Sequence, residues 1–155
     1  MILGVGIDLV EVARIQSALE RFGDRFWRRI LCPAEIEYCR EFVQPAPHVA
    51  ARFAAKEAMA KAFGTGLGQE VGWLDLEVGR HPSGAPFALL HPAAQRLLAQ
   101  RGGRQCWLSL SHTAVYATAV AILEGGPILF STGLTGLPNG FQNPPIQPVN
   151  PVNPV

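Results

Sequence analysis

The chain opens on ten residues, Met1 to Val10, in which apolar side chains dominate and a single acid, Asp8, stands near the end. Read with a period of two, Ile2, Gly4, Gly6 and Asp8 share one face of a strand, and Leu3, Val5, Ile7 and Leu9 share the other. The period then changes. Val12, Ile15, Leu19 and Phe22 recur at helical spacing, with Gly23 placed to end that helix. A second amphipathic stretch covers Arg25 to Leu31, and Pro33 suits the first turn of a further helix reaching about Phe42. Cys32 sits where a Ser or Thr cap is expected. Gln44-Pro45-Ala46-Pro47 interrupts the chain, and Ala51 to Gly66 reads as one more helix, with Gly64 as its cap. Beyond it the pattern turns to strands. Trp73 to Val78 alternates with Leu74, Leu76 and Val78 on one face, His81-Pro82-Ser83-Gly84 is a turn, and Pro86 to Leu90 is a short strand. Pro92 to Arg101 is a short helix before Gly102-Gly103. Gln105 to Leu110 and Ala114 to Leu123 form a hairpin pair around Ser111-His112-Thr113. Helices and strands come in blocks, with the first strand far from the others in sequence. The expected class is α+β, with an antiparallel sheet packed against helices.

The last thirty residues differ in kind. After Glu124 there is no charged residue, seven of the thirteen prolines are found there, and the chain ends QPVNPVNPV. The division expected is a domain over 1–126 and a Pro/Asn-rich, flexible extension over 127–155. Ile128, Leu129, Phe130 and Leu134 leave open that its first part packs on the domain.

At 155 residues the chain holds one domain with a modest core. A net charge of +1 argues against a general nucleic-acid binder. No apolar run is long enough to span a bilayer, and the first ten residues lack the basic region of a signal peptide. Cys32, Cys39 and Cys106 have no CxxC spacing, which favours a reduced, cytoplasmic protein over a disulfide scaffold or a zinc site. His48, His81, His91 and His112 offer no metal spacing either. The charges are uneven, however: Arg14, Arg21, Arg25, Arg28 and Arg29 crowd the first helices. They read either as a solvated helix face or as a docking strip for an acidic protein.

Three segments carry candidate chemistry. Phe53, Glu57 and Lys61 recur every four residues and project from one helix face. Such a Glu–Lys pair serves equally as a surface ion pair worth about 0.3 kcal/mol. Asp8-x-x-Glu11 fits a helix capping box as well as a metal ligand. Ser109 and Ser111 share a strand face, with His112 at its end. Gly64-Thr65-Gly66-Leu67-Gly68 follows a helix instead of opening one, so it is no Walker loop. Ser111-His112 is no hydrolase pair, since adjacent residues on a strand diverge.

Taken in order, GIDLVEVARI, RFAAKEAMAKAFGTG and LSLSH resemble the holo-(acyl carrier protein) synthase family of 4′-phosphopantetheinyl transferases. Trp73, Asp75, Glu77, Val78, Gly84, Pro86 and Leu89 also fall where that family has them, and the match runs from about Met1 to Glu124. The resemblance implies a 4′-phosphopantetheinyl transferase-like fold and a reaction. A serine hydroxyl of apo acyl carrier protein attacks the β-phosphate of coenzyme A, phosphopantetheine moves to serine, and 3′,5′-ADP leaves, in the service of fatty acid biosynthesis. It implies Mg²⁺ on Asp8 and Glu57, and catalytic roles for Asp8, Glu57 and Lys61. It also implies coenzyme A contacts from Arg52, Lys61, Gly64, Ser111 and His112. The general base stays open between Glu57 and a metal-bound water. The resemblance further implies a homotrimer with active sites between subunits, and docking of the carrier protein on Arg14, Arg21 and Arg25. Two alternatives stand beside it: the same chemistry on polyketide or peptide-synthetase carriers, and a non-catalytic coenzyme A- or carrier-binding module. A purely structural oligomerising domain gives no reason for Asp8 on an apolar strand.

Overall fold

The structure, a computed structural model, describes residues 1–126; the expected extension over 127–155 lies outside the described residues. A long strand β1 (Ile2–Glu11) leads into helices α1 (Val12–Phe22), α2 (Asp24–Ile30), α3 (Pro33–Arg40) and the central α4 (Ala46–Phe63). A 3-10 turn (Trp73–Asp75) precedes the hairpin β2 (Leu76–Arg80) and β3 (Pro86–Leu90). Helix α5 (Pro92–Gln100) and the strands β4 (Gly103–His112) and β5 (Tyr116–Gly125) complete the domain. One antiparallel sheet has the order β1-β5-β4, and β2 and β3 form a second. The class is α+β, as the blocks of pattern predict.

Helix α4 organises the core. It starts five residues before Ala51, because Pro45 and Pro47 open it instead of blocking it. Proline at a first-turn position loses no intrahelical hydrogen bond. Gly64 ends it in the left-handed conformation, φ 73°, and gives its N–H to Lys61 O at 2.9 Å. Ala50, Ala51, Ala54, Ala55, Ala58 and Ala60 are all buried, so α4 is enclosed on nearly every side. These small side chains admit close neighbours, and β1 supplies one. A Cβ at Gly6 would collide with the Ala58 carbonyl oxygen, and one at Gly4 with that of Ala62. The two glycines therefore let strand backbone touch helix backbone, and the residue two positions on, Asp8, arrives beside the last turns of α4.

Three local expectations are corrected. The register of β1 against β5 shifts between Ile2 and Gly4, so Ile2 is exposed and Leu3 packs on the core. The inward face is thus Gly4, Gly6, Asp8 and Val10, while Val5, Ile7 and Leu9 point outward. A bulge inserts a residue and reverses the parity of everything before it. Glu11, not Asp8, precedes α1, and no side chain caps that helix; Asp8 is paired within the strand opposite Ala119. Finally, Leu74 does not share a face with Leu76 and Val78. The Asp75 carboxylate accepts the Gly72 N–H at 2.8 Å and curls Trp73–Asp75 into a turn, which leaves Leu74 exposed.

Candidate active site

The seam between β1 and the C-terminal half of α4 collects the first group of charged residues. Lys61 Nζ lies 2.7 Å from Asp8 Oδ1 and donates also to Ile7 O at 3.1 Å. Asp8 is mostly enclosed, and Thr118 Oγ1 fixes its backbone by donating to Asp8 O at 2.9 Å. Glu57 stands one turn before Lys61 on the same helix. Its carboxyl is held above the ordinary range, first by burial and then by the negative charge of Asp8; Lys61 and Arg14 act in the opposite sense. Two carboxylates thus converge with one lysine between solvent and Asp8. Lys61 is an ammonium with three donors and has two acceptors among the described residues. The surface-pair reading of Glu57 with Lys61 is overturned: the partner of Lys61 is Asp8, on another element.

A second group lies around the first half of α4. Arg52, Ser111 and His112 line a cavity of about 300 Å³ together with Tyr38, His48, Arg80 and Gly84. Arg52 is buried, its guanidinium 4.1 Å above the Tyr38 ring, and its Nε has no hydrogen-bond partner among the described residues. Arg80 also lies over Tyr38, at 4.7 Å. His48 and His112 meet edge to face at 4.8 Å. The His48 imidazole is pushed below its ordinary pKa by burial and then by the positive neighbours His112, Arg52 and Arg80. A buried donor left without an acceptor costs about 1–3 kcal/mol. Positive groups crowding one cavity around such a donor suit a phosphate or another anion.

The arginine-rich segment forms a third surface. Arg14, Arg21, Arg25, Arg28 and Arg29 are all exposed. Arg25 and Arg29 edge a cleft of about 430 Å³ whose other walls are Phe22, Phe26, Ile30, Phe53 and Trp73. Phe53 therefore joins an aromatic wall, 4.8 Å from Trp73, and not the charged seam of Glu57 and Lys61.

The structure brings Asp8, Glu57 and Lys61 together, and Arg52, Ser111 and His112 together. Among the described residues, the cavity around Arg52 is lined by none of Asp8, Glu57, Lys61 and Gly64. Sequence reasoning missed His48, Arg80 and Tyr38. It also missed Lys56 and Glu35, a fully buried ion pair at 2.6 Å. An isolated Arg at the end of a short strand and a His in the first turn of a helix opened by prolines carry no spacing signal. Lys56, in contrast, sits in an alanine run, and burial could have been suspected there.

The donor set at the seam fits a hard divalent cation such as Mg²⁺. Both carboxylates offer oxygen, and the Glu57 pKa is raised first by burial and then by the Asp8 charge, which a cation would offset.

The chain is similar to known proteins over most of its length. The 4′-phosphopantetheinyl transferase superfamily profile matches residues 4–121. The holo-[acyl-carrier-protein] synthase of Koribacter versatilis is 53% identical over 124 residues, 80% of this chain and 99% of the relative. That of Geobacter sp. is 45% identical over the same lengths of both chains. Among solved structures, the synthase of Neisseria meningitidis has a TM-score of 0.75 at 35% identity, covering 80% of this chain and 99% of that one. The Helicobacter pylori synthase in complex with coenzyme A has a TM-score of 0.70 at 33% identity, covering 77% and 99%.

Proposed function

This chain belongs to the 4′-phosphopantetheinyl transferase superfamily, and from that premise we propose that it transfers 4′-phosphopantetheine from coenzyme A to a serine of apo acyl carrier protein. The products are holo carrier protein and 3′,5′-ADP, and the setting is fatty acid biosynthesis. The observation that carries the reading is the Asp8–Lys61 contact at 2.7 Å with Glu57 beside it. These three residues occupy the positions at which the family resemblance expects them.

The reaction forms a bond from the serine oxygen to the pantetheine-bearing phosphorus and breaks that phosphorus's bond to the bridging oxygen of 3′,5′-ADP. The serine proton leaves, and negative charge gathers on the departing phosphate. Such a transfer asks mainly for alignment and for positive charge. Lys61 meets the phosphates as a point charge, held in place by Asp8 and by the Ile7 carbonyl. Asp8 and Glu57 would hold Mg²⁺, whose contribution when bound is to neutralise the pyrophosphate. Glu57 is one candidate base for the serine proton, and a water is the other. Arg52, His112 and Ser111, with Arg80 and His48, receive the remaining phosphate of the nucleotide, and the unpartnered Arg52 Nε supports this. Gly64 belongs to the loop that follows Lys61 and borders coenzyme A.

The working unit of the proposal is a homotrimer. Val5, Ile7, Leu9 and Trp107 are exposed on the outer face of the β1-β5-β4 sheet, an apolar surface suited to a second copy. A neighbour seated there offers a way to join the carboxylate seam of one chain to the anion cavity of the next. Arg14, Arg21 and Arg25, beside the aromatic cleft, dock the acidic carrier protein. The three cysteines are free and buried, which supports a cytoplasmic setting; among the described residues no helix is long and apolar enough to cross a membrane.

Mass spectrometry of apo acyl carrier protein incubated with the enzyme, coenzyme A and Mg²⁺ tests the activity. The expected result is a gain of one phosphopantetheine on the carrier. An unchanged mass with acyl carrier protein, but a gain on polyketide or peptide-synthetase carriers, would move the substrate; no gain on any carrier would leave a binding module.

A further inference from the structure

Away from the charged seam, three side chains from distant parts of the sequence converge. Cys32 precedes α3, Glu77 lies on β2, and His91 precedes α5. His91 Nε2 is 2.7 Å from Glu77 Oε2 and 3.8 Å from Cys32 Sγ, and the sulfur, nitrogen and carboxylate atoms lie within 4.8 Å of one another. We propose that Cys32, Glu77 and His91 form an exchangeable Zn²⁺ site, with solvent as the fourth ligand.

The chemistry of the set favours zinc. One thiolate, one imidazole and one carboxylate are a soft-to-borderline mixture that suits Zn²⁺ and not Mg²⁺. Ligands at about 2.0–2.3 Å in a tetrahedron stand roughly 3.3–3.8 Å apart. The sulfur–nitrogen separation already matches. The nitrogen–oxygen pair must open by roughly half an ångström to reach that range. The His91 side chain is 37% exposed, and this open side admits the ion and a water. Thiolate and carboxylate together cancel the charge of a divalent ion, as a half-buried site requires.

Without an ion, each donor of the cluster has one partner. The same His91 nitrogen faces both the carboxylate and the sulfur, so its single proton satisfies only one of them. The Cys32 thiol donates instead to Leu74 O, at 3.6 Å. A cation among the three would engage every group at once. The surroundings are also held firmly. The Cys32 N–H is bound by Glu35 Oε2 at 2.8 Å, and Glu35 is fixed in turn by Val78 N–H and Lys56. The His91 N–H is bound by Asp75 O at 2.9 Å. Pro33 and Pro92 stiffen the backbone directly after both ligands. These bonds hold the backbone at two of the three ligands.

Without metal, burial pushes the Cys32 thiol up to about 12, so it is a protonated and inert group. On binding, the Sγ–H bond breaks, the Zn–S bond forms and the proton goes to solvent. The ion would then tie α3, β2 and α5 into one unit, independently of the transferase reading.

The test is a Co²⁺ titration of the full chain after removal of metals by a chelator, with Mg²⁺ in excess to occupy oxygen sites. The expected result is a thiolate-to-cobalt charge-transfer band that saturates at one equivalent and is displaced by Zn²⁺. Cys32→Ser should abolish the band, and His91→Gln or Glu77→Gln should weaken Co²⁺ binding tenfold or more. Cys106→Ala and Asp8→Asn should leave it intact. X-ray absorption of the zinc-loaded wild-type protein needs no variant and should find one sulfur with nitrogen and oxygen ligands. Absence of the charge-transfer band, its survival in folded Cys32→Ser, or a zinc shell without sulfur would overturn the site and leave a hydrogen-bonded triad.

Discussion

Lys56 and Lys61 leave the same helix little more than one turn apart, and each meets a carboxylate from elsewhere in the chain. The resemblance ends there. Lys56 is wholly buried and spends all three donors: on Glu35 at 2.6 Å, on Ile30 O at 2.6 Å and on Trp73 O at 3.0 Å. Glu35 is equally occupied, accepting the Cys32 and Val78 N–H groups. Nothing in that pair is left for a ligand. Lys61 is about half exposed, has two acceptors, and shares Asp8 with a second carboxylate whose pKa is raised. A closed pair ties elements together, whereas an open pair has charge and donors in reserve for a substrate. The difference lies in valence left over and not in residue type.

The comparison breaks most visibly at the closed pair. Lys56→Ala strands the Glu35 carboxylate in the core, and loss of one partner of a buried pair costs about 3–5 kcal/mol. Urea denaturation should show this as a lower midpoint. Replacing both residues by apolar ones of similar volume should cost far less, since no charge is then left buried. If Lys56→Ala unfolds at the wild-type midpoint, the pair is not the structural tie described here.

At the open pair the signs reverse. Lys61→Ala, Asp8→Asn and Glu57→Gln remove the groups proposed to meet the phosphates and the metal, so turnover should fall by at least about 10²-fold. Circular dichroism and the urea midpoint should stay close to wild type for Lys61→Ala, whose side chain is half exposed. A Lys61 variant that unfolds would make the open pair structural as well.

Much of this contrast was legible in the sequence, but not all. The strand, the helix and the spacing of Glu57 and Lys61 followed from periodicity, and Asp8 stood out as an acid in an apolar run. Lys56 did not stand out, because a helix buried on nearly all sides has no polar stripe to mark its charged positions. Whether a lysine in such a helix is closed or open depends on partners in other elements. Glu35 comes from α3, and Asp8 comes from a strand fifty residues away in sequence. The bulge after Ile2 was invisible for a related reason: it is a property of pairing with β5, not of β1 alone. The Cys32–Glu77–His91 cluster has no spacing signal, since three elements contribute one residue each.

A third region sharpens the comparison through the carrier protein. Arg14 belongs to the proposed docking strip, and its charge weakly opposes the rise that burial and Asp8 give the Glu57 pKa. Arg14→Glu with Arg21→Glu should raise the KM for acyl carrier protein tenfold or more, about 1.4 kcal/mol. The KM for coenzyme A should move much less. Steady-state kinetics with each substrate varied in turn separates the two, and equal losses would assign the arginines to the active site or the fold.

The smallest effect concerns Arg52, the third cation of α4, whose buried Nε has no partner among the described residues. His48 reports on it, because the positive charges of His112, Arg52 and Arg80 reinforce burial in lowering the imidazole pKa. The unfolded chain titrates near the ordinary value of about 6.5, so just below that pH it binds more protons at His48 than the folded one. This contribution to stability is fully present above about 6.5 and is lost as pH falls through the folded pKa. Arg80→Ala should therefore move the His48 pKa upward, which a proton NMR titration of the ring resonances can follow. Added 3′,5′-ADP should also move it upward, since a phosphate beside Arg52 offsets the positive neighbours and favours the imidazolium. A shift with the nucleotide that is lost in Arg52→Ala places the anion in this cavity. No shift in the wild-type protein would remove the cavity from coenzyme A binding and confine the open chemistry of α4 to Lys61 and its two carboxylates.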